Sequence, residues 1–150
     1  MTVAIELDNR SSAALDEAEL RRVLEAALAA EGIDDGEVGV ALVDEQEMAE
    51  LNEAHRGKPV ATDVLSFPLD GRDAIPGDLP RQLGDLVLCA PVIAREAREQ
   101  KKPVLAHYAH LTVHGALHLL GWDHETDGGE MLDRQAAVLE EVAGAAGDPS

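Results

Sequence analysis

The chain has one cysteine, very few aromatic residues and no long apolar run. The single cysteine, Cys89, excludes an internal disulfide, which fits a reducing compartment. Phe67, Tyr108 and Trp122 are the only large aromatic residues, too few for a long platform on which single-stranded bases stack. No stretch reaches the roughly 18 consecutive apolar residues of a membrane span, and the start MTVAIELDNR lacks a basic segment before an apolar one. We therefore expect a cytoplasmic protein.

Basic residues are also scarce. The 12 Lys and Arg residues stand against 30 Asp and Glu, which gives a formal net charge of −18. Such a surface repels phosphate, so the chain is not expected to bind nucleic acid over its whole surface. An RNA substrate would need a local basic route, for which the candidates are the run Arg95 to Lys102 and the pair Arg56 and Lys58. A solvated helix face is the preferred interpretation of the run.

The length and the hydrophobic content predict one folded domain. The chain has 150 residues, of which 45% are hydrophobic, enough to bury roughly two thirds of the unfolded surface. No internal repeat and no composition shift divides residues 1–150. Cys89 lies in the apolar run LVLCA, where a buried small side chain is expected.

Hydrophobic periodicity predicts strands and helices in alternation, which indicates an α+β domain with helices packed on a small sheet. Strands are expected at TVAIELD, VGVALVD, DVLSFP and GDLVLCA. Capping boxes and breakers predict helices from Asp16 to Gly32, from Asp44 through Asn52, from Pro91, from Pro103 through the histidines, and from Asp127. Residues 69–83, rich in glycine and proline, are expected to form an exposed, mobile loop, and residues 144–150 a frayed tail.

Three of the six histidines fall within the stretch HGALHLLGWDH. His114 and His118 are four residues apart, so on a helix their rings lie on one face. Gly121 is expected to end this helix in a left-handed conformation, which lets the chain return His124 to the same point. Three imidazoles with an open fourth position describe a catalytic zinc site. We therefore predict one zinc ion per chain, and other divalent transition metals also suit these ligands.

The histidine spacing is that of the metzincin proteases, but one residue differs. Those enzymes place a glutamate as general base directly after the first ligand, where this chain has Gly115. Two further histidines precede His114 on the same helical stripe. A rise of 1.5 Å per residue puts His110 about 6 Å away along the axis, so His110 and His107 are left out of the metal set. The substrate class stays open on these grounds.

Two longer motifs resemble one family, the bacterial YbeY endoribonucleases, also called rRNA maturation factors. HGALHLLGWDH follows that family's pattern HGxLHLxGxDH. LNEAHRGKPVATDVLSFP, from Leu51 to Pro68, is similar to the family's LNxxYRxKDxPTDVLSFP. LGDLVLC matches the Gly-Asp strand that precedes the histidine helix in the family. The resemblance covers most of the chain.

The resemblance implies a fold and a function. The fold is an α+β domain with a mostly parallel four-stranded sheet, and the metal site lies on a central helix and the loop after it. The function is that of a zinc-dependent endoribonuclease specific for single strands, acting in rRNA maturation at the 3′ end of the small-subunit 16S RNA and in ribosome quality control. The implied metal ligands are His114, His118 and His124, and the functional arginine is Arg56. The implied partners are rRNA and the ribosome or a ribosomal protein, with no membrane and no DNA.

Some residues depart from the family pattern. Gln135 stands four residues after Met131, where the family often has glutamate. His55, expected to be solvated or to face the substrate, replaces a usual tyrosine, and Trp122 replaces a frequent one. Pro59 and Ala61 also differ. None of these positions is an implied ligand, so they concern loop geometry and substrate contacts.

The mechanism leaves two routes open. Water activated at the metal could attack phosphorus, leaving a 5′-phosphate, or the ribose 2′-OH could attack, leaving a 2′,3′-cyclic phosphate. The guanidinium of Arg56 can donate two parallel hydrogen bonds to a phosphate and would stabilise the negative charge of the transition state. Asp63, Asp85 and Asp123 are candidates for a general base or for orienting a histidine, and the sequence does not choose among them.

Two functions of other classes also stay open. The metzincin spacing is consistent with a metallohydrolase that acts on an acyl substrate. Alternatively, the chain is a ribosome assembly factor without catalytic activity, whose metal is structural.

Overall fold

The computed structural model describes residues 3–71, 73, 79–123 and 128–146, which form four strands and five helices. These elements are β1 (Val3–Asn9), α1 (Glu17–Ala30), β2 (Gly36–Val43), α2 (Glu45–Arg56), β3 (Val64–Pro68), β4 (Gln82–Cys89), α3 (Ala90–Glu99), α4 (Val104–Leu119) and α5 (Glu130–Ala146). The sheet order is β1-β2-β4-β3. β1, β2 and β4 run parallel and β3 pairs antiparallel with β4. The predicted α+β fold with a mostly parallel four-stranded sheet is confirmed.

The sheet separates two hydrophobic cores. The larger core lies between the sheet and the α1, α4 and α5 helices, and includes Leu24, Leu86 and Leu117. The smaller core lies under α2 and includes Met48 and Cys89. The last four residues of β4 are all buried, because a strand covered on both faces reads as a continuous apolar run rather than an alternating one. Cys89 is buried as predicted.

The helix boundaries confirm some of the predicted signals and correct others. The Asp16 side chain caps α1 by accepting a hydrogen bond from the Glu19 amide at 3.1 Å, as predicted. The second predicted cap is wrong, because the Asp44 side chain makes no cap bond and instead accepts from Ser12 at 3.4 Å.

The α2 helix is longer than expected. It continues to Arg56 rather than ending at Asn52, and Gly57 ends it in the left-handed conformation with φ of 76°. His55 and Arg56 therefore lie on the last helical turn and not in a loop. This is the first structural feature that positions the candidate site.

The predictions for the helix ends, the loop and the C-terminal tail can be compared with the structure only in part. Gly121 follows α4 with φ of 98°, as expected for a glycine that turns the chain after a helix. The α5 helix continues to Ala146, three residues into the tail expected to fray from residue 144. Asp127, part of the loop expected at 69–83 (residues 72 and 74–78) and residues 147–150 lie outside the described residues. Of the helices described, none is both long and apolar enough to cross a bilayer.

Candidate metal centre and its cleft

An open cleft of about 720 Å³ lies beside α4. Its walls come from the last turn of α2, the start of β3 and the turn after α4. The lining residues that bear on chemistry are His55, Arg56, Asp63, His110, His114, His118, Trp122 and Asp123.

His114 and His118 face each other in this cleft. Their Nε2 atoms are 3.2 Å apart, and their rings meet edge to face with centroids 4.7 Å apart. Two nitrogen ligands about 2.0–2.1 Å from one tetrahedral ion would be separated by about 3.3 Å. The two rings therefore already have the spacing that one metal ion requires. The third predicted ligand, His124, lies outside the described residues, whose nearest member, Asp123, lines the cleft.

Gln135 of α5 sets the orientation of His114. The His114 Nδ1 atom lies 2.7 Å from the Gln135 Oε1 atom. Because an amide oxygen only accepts hydrogen bonds, His114 carries its proton on Nδ1 and leaves the Nε2 lone pair for a metal. Gln135 is buried, and sequence reasoning did not find its contact with His114 across 21 residues of chain.

Gln135 also reaches His110, one turn before His114. Its Nε2 atom lies 3.3 Å from the His110 Nε2 atom. Burial, the largest cause, lowers the pKa of His110, which favours the neutral ring that can accept from the amide. His110 thus lines the cleft beside His114 and shares its contact with Gln135, and its exclusion from the ligands stays a prediction.

Replacing Gln135 by leucine is expected to weaken zinc binding about 10- to 100-fold, the usual effect of removing a hydrogen-bond partner of a ligand histidine. Leucine fills the site but cannot accept from His114 Nδ1. Competition with a fluorescent zinc chelator measures the affinity. Gln135→Glu restores an acceptor and should regain affinity, and Gln46→Leu on the exposed face of α2 is the matched control. Unchanged affinity in folded Gln135→Leu would contradict this role.

Gly115 faces the sheet rather than the cleft. A Cβ atom built there would lie 2.7 Å from the Leu86 Cδ2 atom and 3.2 Å from the Ser66 Oγ atom. A glutamate at this position would have to enter the core, at a cost typical of overpacked sites. The metzincin arrangement of the general base therefore has no room in this fold.

Glu31 anchors the turn that follows α4. It is a buried carboxylate at the end of α1, 9% exposed, that accepts from Trp122 Nε1 at 2.9 Å. It also pairs with Arg134 of α5, which donates to the Ala30 carbonyl at 2.7 Å. Removing one partner of a buried ion pair is strongly destabilising. Glu31, whose contacts no local sequence pattern indicates, thus holds Trp122 two positions before His124.

The formal charges of the cleft do not make it basic. Among the described lining residues, Arg56 carries one positive charge and Asp63 and Asp123 two negative ones, so with neutral histidines the formal sum is −1. A basic cleft near Arg56 was one expected explanation for RNA binding, and the side chains alone do not provide it. A bound divalent ion would change the sum to +1.

The remaining candidate residues separate into different surfaces. Asp85 lines another groove, together with Glu6 and Asp8, so only Asp63 and Asp123 of the three candidate aspartates lie at the cleft. Arg95, at the start of the basic run, has a half-exposed side chain that lies 3.6 Å from Glu45. This arrangement agrees with the solvated helix face preferred for that run.

A second cluster of polar side chains lies at Asp63. Asp63, Glu96 and His107 bring one possible ligand atom each to within 4.8 Å of one another, and His107 Nε2 is 2.8 Å from Glu96 Oε1. Burial raises the pKa of Glu96, the His107 hydrogen bond lowers it and the charge of Asp63 raises it further. Sequence reasoning missed this cluster because its members come from three separate elements.

The chain is similar to known proteins over most of its length. A family model described as Endoribonuclease YbeY matches residues 5–143. The chain is 55% identical over 108 residues to a protein named Endoribonuclease YbeY from Xanthomonas oryzae pv. oryzae (strain MAFF 311018), covering 69% of this chain and 67% of that protein. It is 50% identical over 111 residues to the protein of the same name from Stenotrophomonas maltophilia (strain R551-3), covering 73% and 65%. The matched stretches thus span about two thirds of these relatives.

A solved structure has the same fold. The solution structure of TM1509 from Thermotoga maritima superposes with a TM-score of 0.64 at 29% identity and covers 99% of both chains. The likeness therefore extends over the whole domain and not only over the histidine motif.

Proposed function

Because this chain belongs to the YbeY endoribonuclease family, we propose that it is a zinc-dependent endoribonuclease that cuts single-stranded RNA. The observation that carries the metal part of this proposal is the 3.2 Å separation of the His114 and His118 Nε2 atoms in an open cleft. His114, His118 and His124 are the proposed ligands.

A zinc ion held by these three imidazoles would act as a Lewis acid, which would polarise a phosphoryl oxygen and help to activate water at neutral pH. Two of the chain's own residues orient the proposed ligands. Gln135 fixes the His114 tautomer, and Glu31 holds the turn that leads to His124 through its bond to Trp122.

Arg56 is the proposed phosphate contact. It lies on the last turn of α2 and lines the same cleft as the two histidines. Its planar guanidinium can donate two parallel hydrogen bonds to a phosphate and stabilise the negative charge that develops during cleavage. Because the metal reverses the formal charge of the cleft from −1 to +1, RNA binding and metal binding are expected to be coupled.

The biological substrate we propose is ribosomal RNA in the cytoplasm, with cleavage near the 3′ end of the 16S RNA. Family membership supports this assignment. The net charge of −18 argues against broad RNA binding, so docking through a ribosomal protein would help to bring the cleft to its substrate.

Incubating the purified protein with labelled single-stranded and duplex RNA tests the proposal. Only the single strand should be cut, a chelator should stop the reaction, and added zinc should restore it. A 5′-phosphate product would identify attack by water, and a 2′,3′-cyclic phosphate attack by the 2′-OH. Metal-free protein that cuts at the full rate would defeat the proposal, whereas chelation that lowers only the melting temperature would favour a non-catalytic assembly factor.

A further inference from the structure

Asp63 is a rigidly held carboxylate on the wall of the cleft. Its carbonyl accepts from the Cys89 amide at 2.9 Å, which fixes the backbone beside the end of β4. Its Oδ1 atom accepts from the Val64 amide at 2.7 Å. The side chain is half-buried and lines the cleft that contains His114 and His118.

Two further polar side chains lie behind Asp63. Glu96 comes from α3 and His107 from α4, and they are joined by the 2.8 Å contact between Glu96 Oε1 and His107 Nε2. His107 is only 3% exposed. A carboxyl pair backed by a buried imidazole could hold either a cation or a proton, and the hydrogen bonds of His107 distinguish the two.

His107 is arranged to hold a proton between itself and Glu96. Its Nδ1 atom is buried and has no hydrogen-bond partner among the described residues. Metal binding through Nε2 would place the ring proton on Nδ1, where ligand histidines normally have an acceptor, and here that N–H would stay unsatisfied. With the proton on Nε2, the ring donates to Glu96 and only a lone pair is left unpartnered.

Glu96 and Asp63 then act as a pair. Two neighbouring carboxyl groups do not ionise independently, because the charge of one opposes the ionisation of the other. The pKa of Glu96 is raised, mainly by burial and also by Asp63. Burial and the charge of Asp63 therefore both favour a proton on Glu96.

We propose that Asp63 is the general base of the cleft and that Glu96 and His107 form a proton-sharing relay that positions it. This inference rests on the proposed function, because it assigns a step in RNA cleavage. The O–H bond of the attacking water or 2′-OH breaks, its proton passes to a carboxylate oxygen of Asp63, and the oxygen forms the new bond to phosphorus. The bond from phosphorus to the leaving ribose oxygen breaks, and that oxygen takes a proton from solvent.

Of the three candidate aspartates, only Asp63 belongs to this cluster. Asp123 is next to the proposed ligand His124 in the sequence, and Asp85 lies in a different groove. Several titratable or charged groups from the surrounding elements lie near Asp63. Glu96 of α3 and His107 of α4 belong to the same cluster, the charge of Asp63 acts on His110 of α4, and Arg56 and His55 of α2 line the same cleft.

Asp63→Asn tests the base directly. Asparagine keeps the Oδ1 acceptor for the Val64 amide but cannot accept a proton at neutral pH. The kcat for single-stranded RNA should fall about 10²- to 10⁴-fold, as for loss of a general base, with zinc content and melting temperature unchanged.

Glu96→Gln tests the relay. Glutamine keeps an acceptor for His107 but removes a negative charge beside Asp63, so the acid limb of the kcat profile should move to lower pH. Glu99→Gln, on the exposed end of α3, is the matched control and should leave the profile unchanged. Independently of activity, ¹⁵N spectra of the wild-type protein should show His107 as the Nε2–H tautomer.

The outcomes separate this inference from the proposed function. If the wild type cuts RNA and Asp63→Asn cuts it equally fast, only the inference is wrong. A profile of Glu96→Gln identical to that of Glu99→Gln would overturn the relay. The His114→Ala variant tests whether the cluster binds a cation instead. Manganese or zinc that binds this variant, but not the variant that also carries Glu96→Gln, would show that the cluster is a metal site and not a proton relay. If the wild type cuts no RNA, both proposals fall.

Discussion

His118→Ala is expected to abolish RNA cleavage and to leave the purified protein without stoichiometric zinc. His118 is one of the two rings whose Nε2 atoms are 3.2 Å apart, so its loss leaves at most two proposed ligands. Sites with two protein ligands hold zinc far less tightly than sites with three. Because the proposed reaction needs the ion, the rate should fall to that of chelator-treated wild type.

Metal analysis by mass spectrometry and a single-turnover RNA assay measure this result. His55→Ala is the control for metal content, because His55 lies on α2 rather than α4 and its ring packs at a tilt against Phe67, with centroids 4.5 Å apart. Circular dichroism shows whether the variant is folded. A folded His118→Ala protein with one zinc per chain and the wild-type rate would remove His118 from the ligand set.

Arg56→Glu is expected to reduce RNA cleavage at least about 10²- to 10³-fold, the effect of removing one donor that stabilises transition-state charge. The substitution also makes the formal charge of the metal-free cleft more negative, from −1 to −3, which opposes phosphate binding. Arg56 lies on an exposed last turn of α2, so the fold should be preserved. Zinc content should stay at one per chain.

Arg56→Lys separates charge from geometry. Lysine keeps the positive charge but lacks the planar fork that donates two parallel hydrogen bonds, so its rate should lie between those of wild type and Arg56→Glu. Arg98→Ala, on the exposed surface of α3, is the control for loss of a basic residue. Equal rates for Arg56→Glu and Arg98→Ala would show that Arg56 makes no contact with the reacting phosphate.

Local sequence signals predicted the parts of the site that depend on helical spacing. The interval of four residues between His114 and His118 sufficed to place both rings on one face of α4. Gly121 was recognised because only glycine adopts its φ of 98° without strain. The fold class followed from the alternation of apolar runs, together with the resemblance to a known family.

Contacts between distant polar residues could not be predicted in this way. The bonds from Gln135 to His114 and from Trp122 to Glu31 span 21 and 91 residues, and such pairs leave no periodic signal. The end of α2 was misplaced because apolar periodicity fades after Asn52 while backbone hydrogen bonds continue to Gly57. The capping role predicted for Asp44 is wrong because its side chain accepts a hydrogen bond from Ser12, which is distant in the sequence.

X-ray absorption at the zinc edge of the purified, catalytically active protein tests the central claim most directly. The account predicts one zinc per chain with three imidazole nitrogens and one further light atom, at about 2.0–2.1 Å. A sulfur ligand, a shell of oxygen atoms without imidazole, or activity in protein that contains no metal would contradict it.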